Sequence, residues 1–328
     1  MVIVGAGIIG LSCAWRLARR GHAVTVFDAR EAASEASWAG AGMLAPGGEI
    51  DRDSAIADMA LRSIAQYPDF VAELEQDSGA TIDFQRNGAI ELASTAAEAE
   101  ALKQRAAWQS SIGIASEACE FSGRPARFYP GDAIVDPRDV TQALGIVCRR
   151  LGVTVRENEP VLNIAADGRS VRTPGGEYAD DGVLIAAGAW SSTLYGGLPR
   201  TMPVRGHLIG YPAAPGTLGT ILRHGHTYLL QRRSGLLIAG ATTEHAGFDR
   251  GIDRAAAAGI HNRASALLPQ LRSFPDYCAW NGFRPGIESD RPAIGRIPGT
   301  SVWTAFGHYR NGILLAPETA RLIAESMA

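Results

Sequence analysis

Residues 1–28 read MVIVGAGIIGLSCAWRLARRGHAVTVFD, and the order of textures in that stretch decides the fold. Met1–Val4 is a short apolar strand, Gly5–Gly10 a tight turn, and Ile8–Arg20 a helix stopped by Gly21. Ala23–Phe27 is a second strand, parallel to the first because a helix separates them. Within the turn, Gly5-Ala6-Gly7-Ile8-Ile9-Gly10 fits G-x-G-x-x-G in its demanding setting between strand and helix. Gly5 permits the sharp turn and Gly7 lets backbone approach a pyrophosphate. Gly10 lets helix and strand pack closely, and the helix N-terminus supplies partial positive charge. Asp28 closes the second strand, where a carboxylate accepts from a ribose hydroxyl. A glycine turn alone is a weak signal. Together with strand, helix, second strand and terminal acid, it predicts a bound dinucleotide.

Outward from this unit, helical patterns run over Asp51–Gly79 and Thr95–Trp108, with a strand-like GAIELA between them. Pro137–Leu151 reads as a helix capped by Asp136. Short strands are expected at Val153–Val155, Val161–Ile164 and Val183–Ala186. From Pro203 the texture changes to alternating segments, VRGHLIGY, TYLLQ and LLIAGAT. A helix over Asp253–Leu268, strands near Tyr277–Phe283 and Val302–Ala305, and a last helix ending at Met327 complete the pattern. The predicted class is α/β: a discontinuous Rossmann-like domain over 1–50, 133–200 and 285–328. An inserted α+β substrate domain with an antiparallel-rich sheet is expected over 51–132 and 201–284.

Composition narrows the function classes. The chain has 328 residues, too many for one simple core, and a net charge of −3, which argues against a general nucleic-acid binder. Lys103 is the sole lysine, so no other residue offers an ammonium for Schiff-base chemistry. Cys13, Cys119, Cys148 and Cys278 show no CxxC spacing, which points to a reducing, cytoplasmic setting. The apolar start lacks the basic residues of a signal peptide, and no run of about 18 apolar residues predicts a membrane span. His224 and His226 lie two apart on an expected strand, but no third ligand stands at a defined spacing, so no metal site is expected.

The cofactor is expected to be long. After Asp28 the chain leaves the alternating βα pattern of a nicotinamide enzyme for the small-residue stretch Ser34–Gly42, which offers close backbone N–H groups. Val183–Trp190 (VLIAAGAW) later gives a buried strand ending in a small-residue turn, and Gly307–Pro317 (GHYRNGILLAP) puts glycines at a helix start. A ligand touched by the first, middle and last pieces of the chain has the reach of FAD.

These residues match a known group. VIVGAGIIGLSCAWRLARRGHAVTVFDA, SWAGAGMLAP, DPRDVTQAL, VLIAAGAWS, PVRGHLIGY, HTYLLQRR, AWNGFRPGIESDRPAIG and GHYRNGILLAPETA span nearly the whole chain in order. The chain resembles the D-amino-acid oxidase group of flavoproteins and, within it, the glycine oxidases associated with thiamine biosynthesis. The resemblance implies that Gly5, Ala6, Gly7, Ile8, Ile9 and Gly10 hold the pyrophosphate, and Asp28 with Ala29 the adenosine ribose. It puts Ser37, Gly40, Ala41, Gly42 and Met43 near ribityl and flavin, Val161 near adenine, and Ala187 and Gly188 along the cofactor. It sets His308, Tyr309, Arg310, Asn311, Gly312, Ile313 and Leu314 against the flavin, with Arg310 near the re-face entrance. Arg284 matches the arginine that clamps the substrate carboxylate beside the flavin, Tyr228 the tyrosine that assists it, and His226 a pocket histidine. Thr243 stands where a glycine oxidase pocket is expected to carry methionine, which leaves side-chain preference open. No cysteine lies in Asn281–Arg284 and Cys278 falls a few residues early, so the FAD is expected to be noncovalent.

The implied reaction takes glycine, sarcosine or a small D-amino acid to 2-oxo acid, ammonia (or amine) and hydrogen peroxide. Hydride passes from Cα to flavin N5, and molecular oxygen is the final acceptor. A link to iminoglycine supply for thiamine and a homo-oligomer also follow from the resemblance, while the charge and the lack of an apolar span or basic anchor predict no nucleic-acid or stable membrane association. An arginine suits the substrate because its two parallel N–H donors meet both carboxylate oxygens, which lysine cannot reproduce. A quinone-linked D-amino-acid dehydrogenase, an NAD(P)-linked reductase and a non-enzymatic flavin-binding protein remain as alternatives.

Overall fold

The computed structural model describes residues 1–52, 54–274 and 276–327. Asp53, inside the first expected helical stretch, lies outside them. The opening strand Val2–Val4 is central to a six-stranded sheet. On one side it pairs in parallel with Thr25–Phe27, which pairs in parallel with Thr154–Arg156. On the other it pairs with Val183–Ile185, then Val302–Phe306, again in parallel, and Ala293–Arg296 closes that edge antiparallel. Val2–Val4 and Val183–Ile185 are buried along their whole length, as strands covered on both faces must be. Four stretches far apart in sequence therefore build one sheet. The chain belongs to the α/β class the opening residues predicted.

Helices Ile8–Arg19, Pro137–Arg150 and Gly312–Ser326 cover this sheet, and Asp136 caps the second by accepting from Arg138 N. Helix Ala57–Ser78 packs on the second and third and reaches the first through Trp15–Phe70 and Arg16–Glu73, burying Tyr67, Phe70 and Leu74. Its position in the sequence suggests the inserted unit, but its packing partners are the helices of the nucleotide sheet.

The second sheet has eight strands. Its order is Cys278–Ile287, Thr201–Pro212, Leu236–Gly240, Thr227–Gln231, Ile221–His224, Ala89–Leu92, Arg124–Tyr129 and Glu117–Phe121. Only Ile221–His224 with Ala89–Leu92 is a parallel pair, so the antiparallel-rich expectation holds. Helix Arg254–Leu267 packs against its strands, with Asp253 accepting from Ala255 N and Ala256 N. The two outermost strands, in EACEFSGRPARFY, escape sequence reading because their charges and Pro125 suit a sheet edge and not an apolar run. Strand Cys278–Ile287 extends past the expected end at Phe283, carrying Arg284 within the sheet instead of after it.

Candidate active site

One cavity, of about 440 Å³, runs between the two sheets and collects residues from the start, middle and end of the chain. Its nucleotide end is built by close backbone contact. Gly5 sits at φ +110°, and a Cβ there would lie 2.4 Å from the Ala186 carbonyl oxygen. A Cβ on Gly10 would lie 1.9 Å from the Gly5 oxygen. Both glycines are thus required by backbone, which does not yield. Gly5, Gly7, Ile8 and Ile9 line the cavity, whereas Ala6 and Gly10 stand behind it. Ala6 instead donates its N–H to Asp28 Oδ2 at 2.7 Å, and Arg30 N donates to Asp28 Oδ1 at 2.9 Å. Burial raises the Asp28 pKa, with these two N–H bonds opposing it. Asp28 still faces the cavity beside Ala29 and Val161.

The middle of the cavity is narrow and small-walled. Ser37 Oγ accepts from Ile8 N at 2.9 Å, tying the stretch 37–43 to the first helix. Ser37, Gly40, Ala41, Gly42 and Met43 form one wall, and Ala187 and Gly188 another. His308, Tyr309, Arg310, Asn311, Gly312 and Ile313 close the far side. Leu314 is buried behind them and does not line the space. Tyr309 adopts φ +50°, a left-handed turn before the last helix. His308 Nε2 lies 3.0 Å from Thr319 Oγ1, and complete burial pushes its pKa down to about 3, so its ring is neutral.

At the other end the second sheet brings in Tyr228 and Arg284. Tyr228 is the cross-strand neighbour of Gly240, and a Cβ on Gly240 would lie 2.5 Å from the phenol oxygen. The Arg284 guanidinium lies over Gly206, where a Cβ would approach its Nη1 to 2.2 Å. A glycine interrupting a strand signals such an approach, so the Gly206 of PVRGHLIGY was a readable clue to this site. Arg284 Nη1 donates to the Thr242 carbonyl at 3.0 Å, and no carboxylate pairs with it among the described residues. Burial lowers the Arg284 pKa, against the influence of Tyr228. Burial raises that of Tyr228, while Arg284 and Arg310 oppose it. A desolvated guanidinium without a counter-ion is a ready carboxylate receptor.

The third charged group at this end, beside Arg284 and Arg310, is Glu49, which the sequence reading missed. It lines the cavity and accepts from Arg310 Nη2 at 3.0 Å. No local pattern marks it, because its partner lies at the opposite end of the chain.

Two expectations require correction. His226 is exposed in the turn between Ile221–His224 and Thr227–Gln231 and does not line the cavity, because a tight hairpin puts it beyond the sheet. His224 and His226 therefore share no strand face. His224 Nε2 instead contacts Ser94 Oγ and Glu98 at the surface. Thr243 is likewise exposed and outside the lining. No cluster of metal-binding side chains occurs among the described residues, and none of their helices is long and apolar enough to cross a membrane. Cys278 does not line the cavity either.

The geometry defines a class: a dinucleotide cradle opening onto a pocket with an uncompensated arginine. The model of the FAD dependent oxidoreductase family matches residues 1–326, and the chain belongs to that family. It is 32% identical to the glycine oxidase of Geobacillus kaustophilus, covering 99% of this chain and 92% of the relative. The crystal structure of a glycine oxidase from that organism superposes with a TM-score of 0.94 at 31% identity, covering 99% of this chain and 93% of that one. The glycine oxidase of Bacillus subtilis is 31% identical over 99% of this chain and 91% of its own. A bifunctional ThiO/ThiG protein of Synechocystis is 33% identical, over 99% of this chain but 51% of that protein.

Proposed function

We propose that this protein is an FAD-dependent amine oxidase of glycine, sarcosine or small D-amino acids, with FAD held noncovalently. The observation that carries the reading is one cavity joining the Gly5–Asp28 cradle to a half-buried Arg284 that no carboxylate pairs with among the described residues. The cradle suits FAD because a side chain at Gly5 would meet backbone, and residues from all three separated chain segments face the same space. FAD, when bound, supplies a two-electron acceptor. The protein's own part is binding and orientation. Gly5, Gly7, Ile8 and Ile9 hold the pyrophosphate from the lining, with Ala6 and Gly10 shaping the turn behind them. Asp28 and Ala29 take the ribose, and Val161 the adenine region. Ser37, Gly40, Ala41, Gly42 and Met43, Ala187–Gly188 and His308 to Ile313 flank the remainder.

At the reacting end Arg284 fixes the substrate carboxylate in two directions, and the Tyr228 hydroxyl donates to the same group. With its pKa raised, Tyr228 stays protonated and donates across the neutral range. Neutral His308 adds no positive charge to the wall. The substrate amine must be uncharged before its Cα–H bond is broken, and no side chain is needed to take the Cα proton. Water then converts the free imine to a 2-oxo acid and ammonia, or the corresponding amine where the substrate nitrogen is alkylated. Molecular oxygen as electron acceptor gives hydrogen peroxide and completes the balance. The glycine oxidase relatives support glycine as substrate, and the ThiO/ThiG likeness supports a supply of iminoglycine for thiamine synthesis. A cytoplasmic homo-oligomer is the accompanying assignment. Sheet membership supports the division into a nucleotide unit of 1–50, 133–200 and 285–328 and a substrate unit of 51–132 and 201–284, with helix Ala57–Ser78 docked on the former.

The test is anaerobic. Glycine, sarcosine, D-alanine and D-proline are mixed with the yellow protein, and loss of flavin absorbance is followed. Bleaching by at least one, with peroxide on readmission of air, is the expected result. A protein that binds no flavin, or a flavin that no amine reduces, removes this reading.

A further inference from the structure

Glu49 occupies a place the proposed reaction does not explain. It ends the short helix Pro46–Glu49 with its carboxylate against Arg310, on the wall that also carries Tyr228 and Arg284. The turn beneath it is built, not incidental. Gly47 N donates to Asp132 Oδ1 at 2.9 Å, and Gln109 Nε2 donates to Gly47 O at 3.0 Å and Ile50 O at 2.8 Å. Asp132, 2% exposed, is in turn held by Arg223 Nη1 at 2.6 Å. A buried network thus fixes the position of one cavity-facing carboxylate. Burial works against the charge on Arg310, yet Glu49 outweighs it and keeps that guanidinium above its ordinary pKa.

The wall therefore carries two guanidiniums of different availability. Arg284 has only a carbonyl partner, and Arg310 is already neutralised. Resting on the amine-oxidase reading, we propose that Glu49 is the pocket's charge selector: it occupies Arg310 and repels a second anionic group, restricting the site to monocarboxylates. One carboxylate is accepted at Arg284. A second finds Arg310 taken and a like charge beside it.

The test compares acetate with malonate as unreactive ligands, titrated into the flavin-loaded protein and read by perturbation of the flavin spectrum and by thermal shift. D-aspartate against glycine turnover is the companion measurement. Glu49→Gln frees Arg310, and the malonate-to-acetate affinity ratio is expected to rise about tenfold or more, the range of a charged hydrogen bond. Adding Arg310→Gln to Glu49→Gln abolishes that gain. Arg310→Gln alone leaves Glu49 unpaired and shifts the ratio the opposite way, which tests the idea even if Glu49→Gln does not fold. Glu49→Asp retains the exclusion. An unchanged ratio in folded, yellow Glu49→Gln, or a gain that survives loss of Arg310, overturns the proposal. The acetate and malonate titrations require no turnover, so failure of this inference is distinct from failure to oxidise glycine.

Discussion

The two ends of the cavity are built on opposite principles. At the nucleotide end, recognition rests on backbone: Gly5 and Gly10 lie within a single turn, and the nearest obstacles to any side chain there are peptide oxygens. At the amine end, recognition rests on side-chain charge. Arg284, Tyr228, Glu49 and Arg310 come from four distant segments and meet only because the second sheet brings Tyr228 and Arg284 to the same cavity as the Pro46–Glu49 helix and the Tyr309–Asn311 turn. Glycines serve both ends differently. Gly5 and Gly10 clear backbone from backbone, whereas Gly206 and Gly240 clear space for the Arg284 and Tyr228 side chains. Substitution should therefore abolish the first site as a whole and degrade the second by degrees.

The largest expected effect is at the nucleotide end. Gly10→Ala puts a methyl 1.9 Å from the Gly5 oxygen, so helix and strand must separate. Overpacking of this kind costs about 1–3 kcal/mol or more. The expected result is a colourless or poorly folded protein, checked by flavin content and circular dichroism; full flavin occupancy would show that the cradle tolerates what the geometry forbids.

Arg284→Ala comes next. Loss of a charged hydrogen-bonding partner is worth roughly 1.5–3 kcal/mol, a rise of about 10–150-fold in KM for glycine, with flavin retained. Steady-state kinetics at several glycine concentrations measure it. If flavin is lost in parallel with affinity, the two ends are not independent.

A smaller effect is readable in stability against pH. His308 has a folded pKa of about 3 against a reference of 6.5. Between those values the unfolded chain binds a proton that the folded chain does not, so stability is full above the reference value and falls as pH drops below it. The slope contributed is about 1.4 kcal/mol per pH unit. His308→Asn should flatten the pH dependence of the urea midpoint below about pH 6 by that one-proton share. An unaltered slope would mean that the ring is not held neutral.

The smallest change is expected at His226. Its side chain is exposed in a hairpin turn, so His226→Ala should alter kcat/KM by no more than about twofold, the scale of a surface substitution. A tenfold loss would put His226 back in the pocket and blur the contrast between the two ends.

How much was legible follows the same division. The strand–turn–helix–strand opening was readable because each element is set by apolar runs and glycines within a few residues, and the later helices Pro137–Arg150 and Arg254–Leu267 likewise start at the local caps Asp136 and Asp253. The outer strands of the large sheet were not, since EACEFSGRPARFY becomes β only by pairing with Ala89–Leu92 and with itself. Helix Ala57–Ser78 was visible as a helix, but nothing within it names the face it covers. His226 and Thr243 were carried over by resemblance, and the structure sets both outside the lining, His226 in the hairpin after Ile221–His224 and Thr243 in the loop after Leu236–Gly240. Leu314 follows helical periodicity into the core, one step past the residues that face the cavity.

The sequence by itself determined the dinucleotide turn, its acidic terminator and the α/β class. Those features arise from short-range sterics and from side-chain chemistry that no fold can replace. Only the tertiary structure decided that Glu49 would face Arg310 and leave Arg284 without a counter-ion. Electrostatic pairing depends on distance in space, and 261 positions of chain separate the two partners of that ion pair.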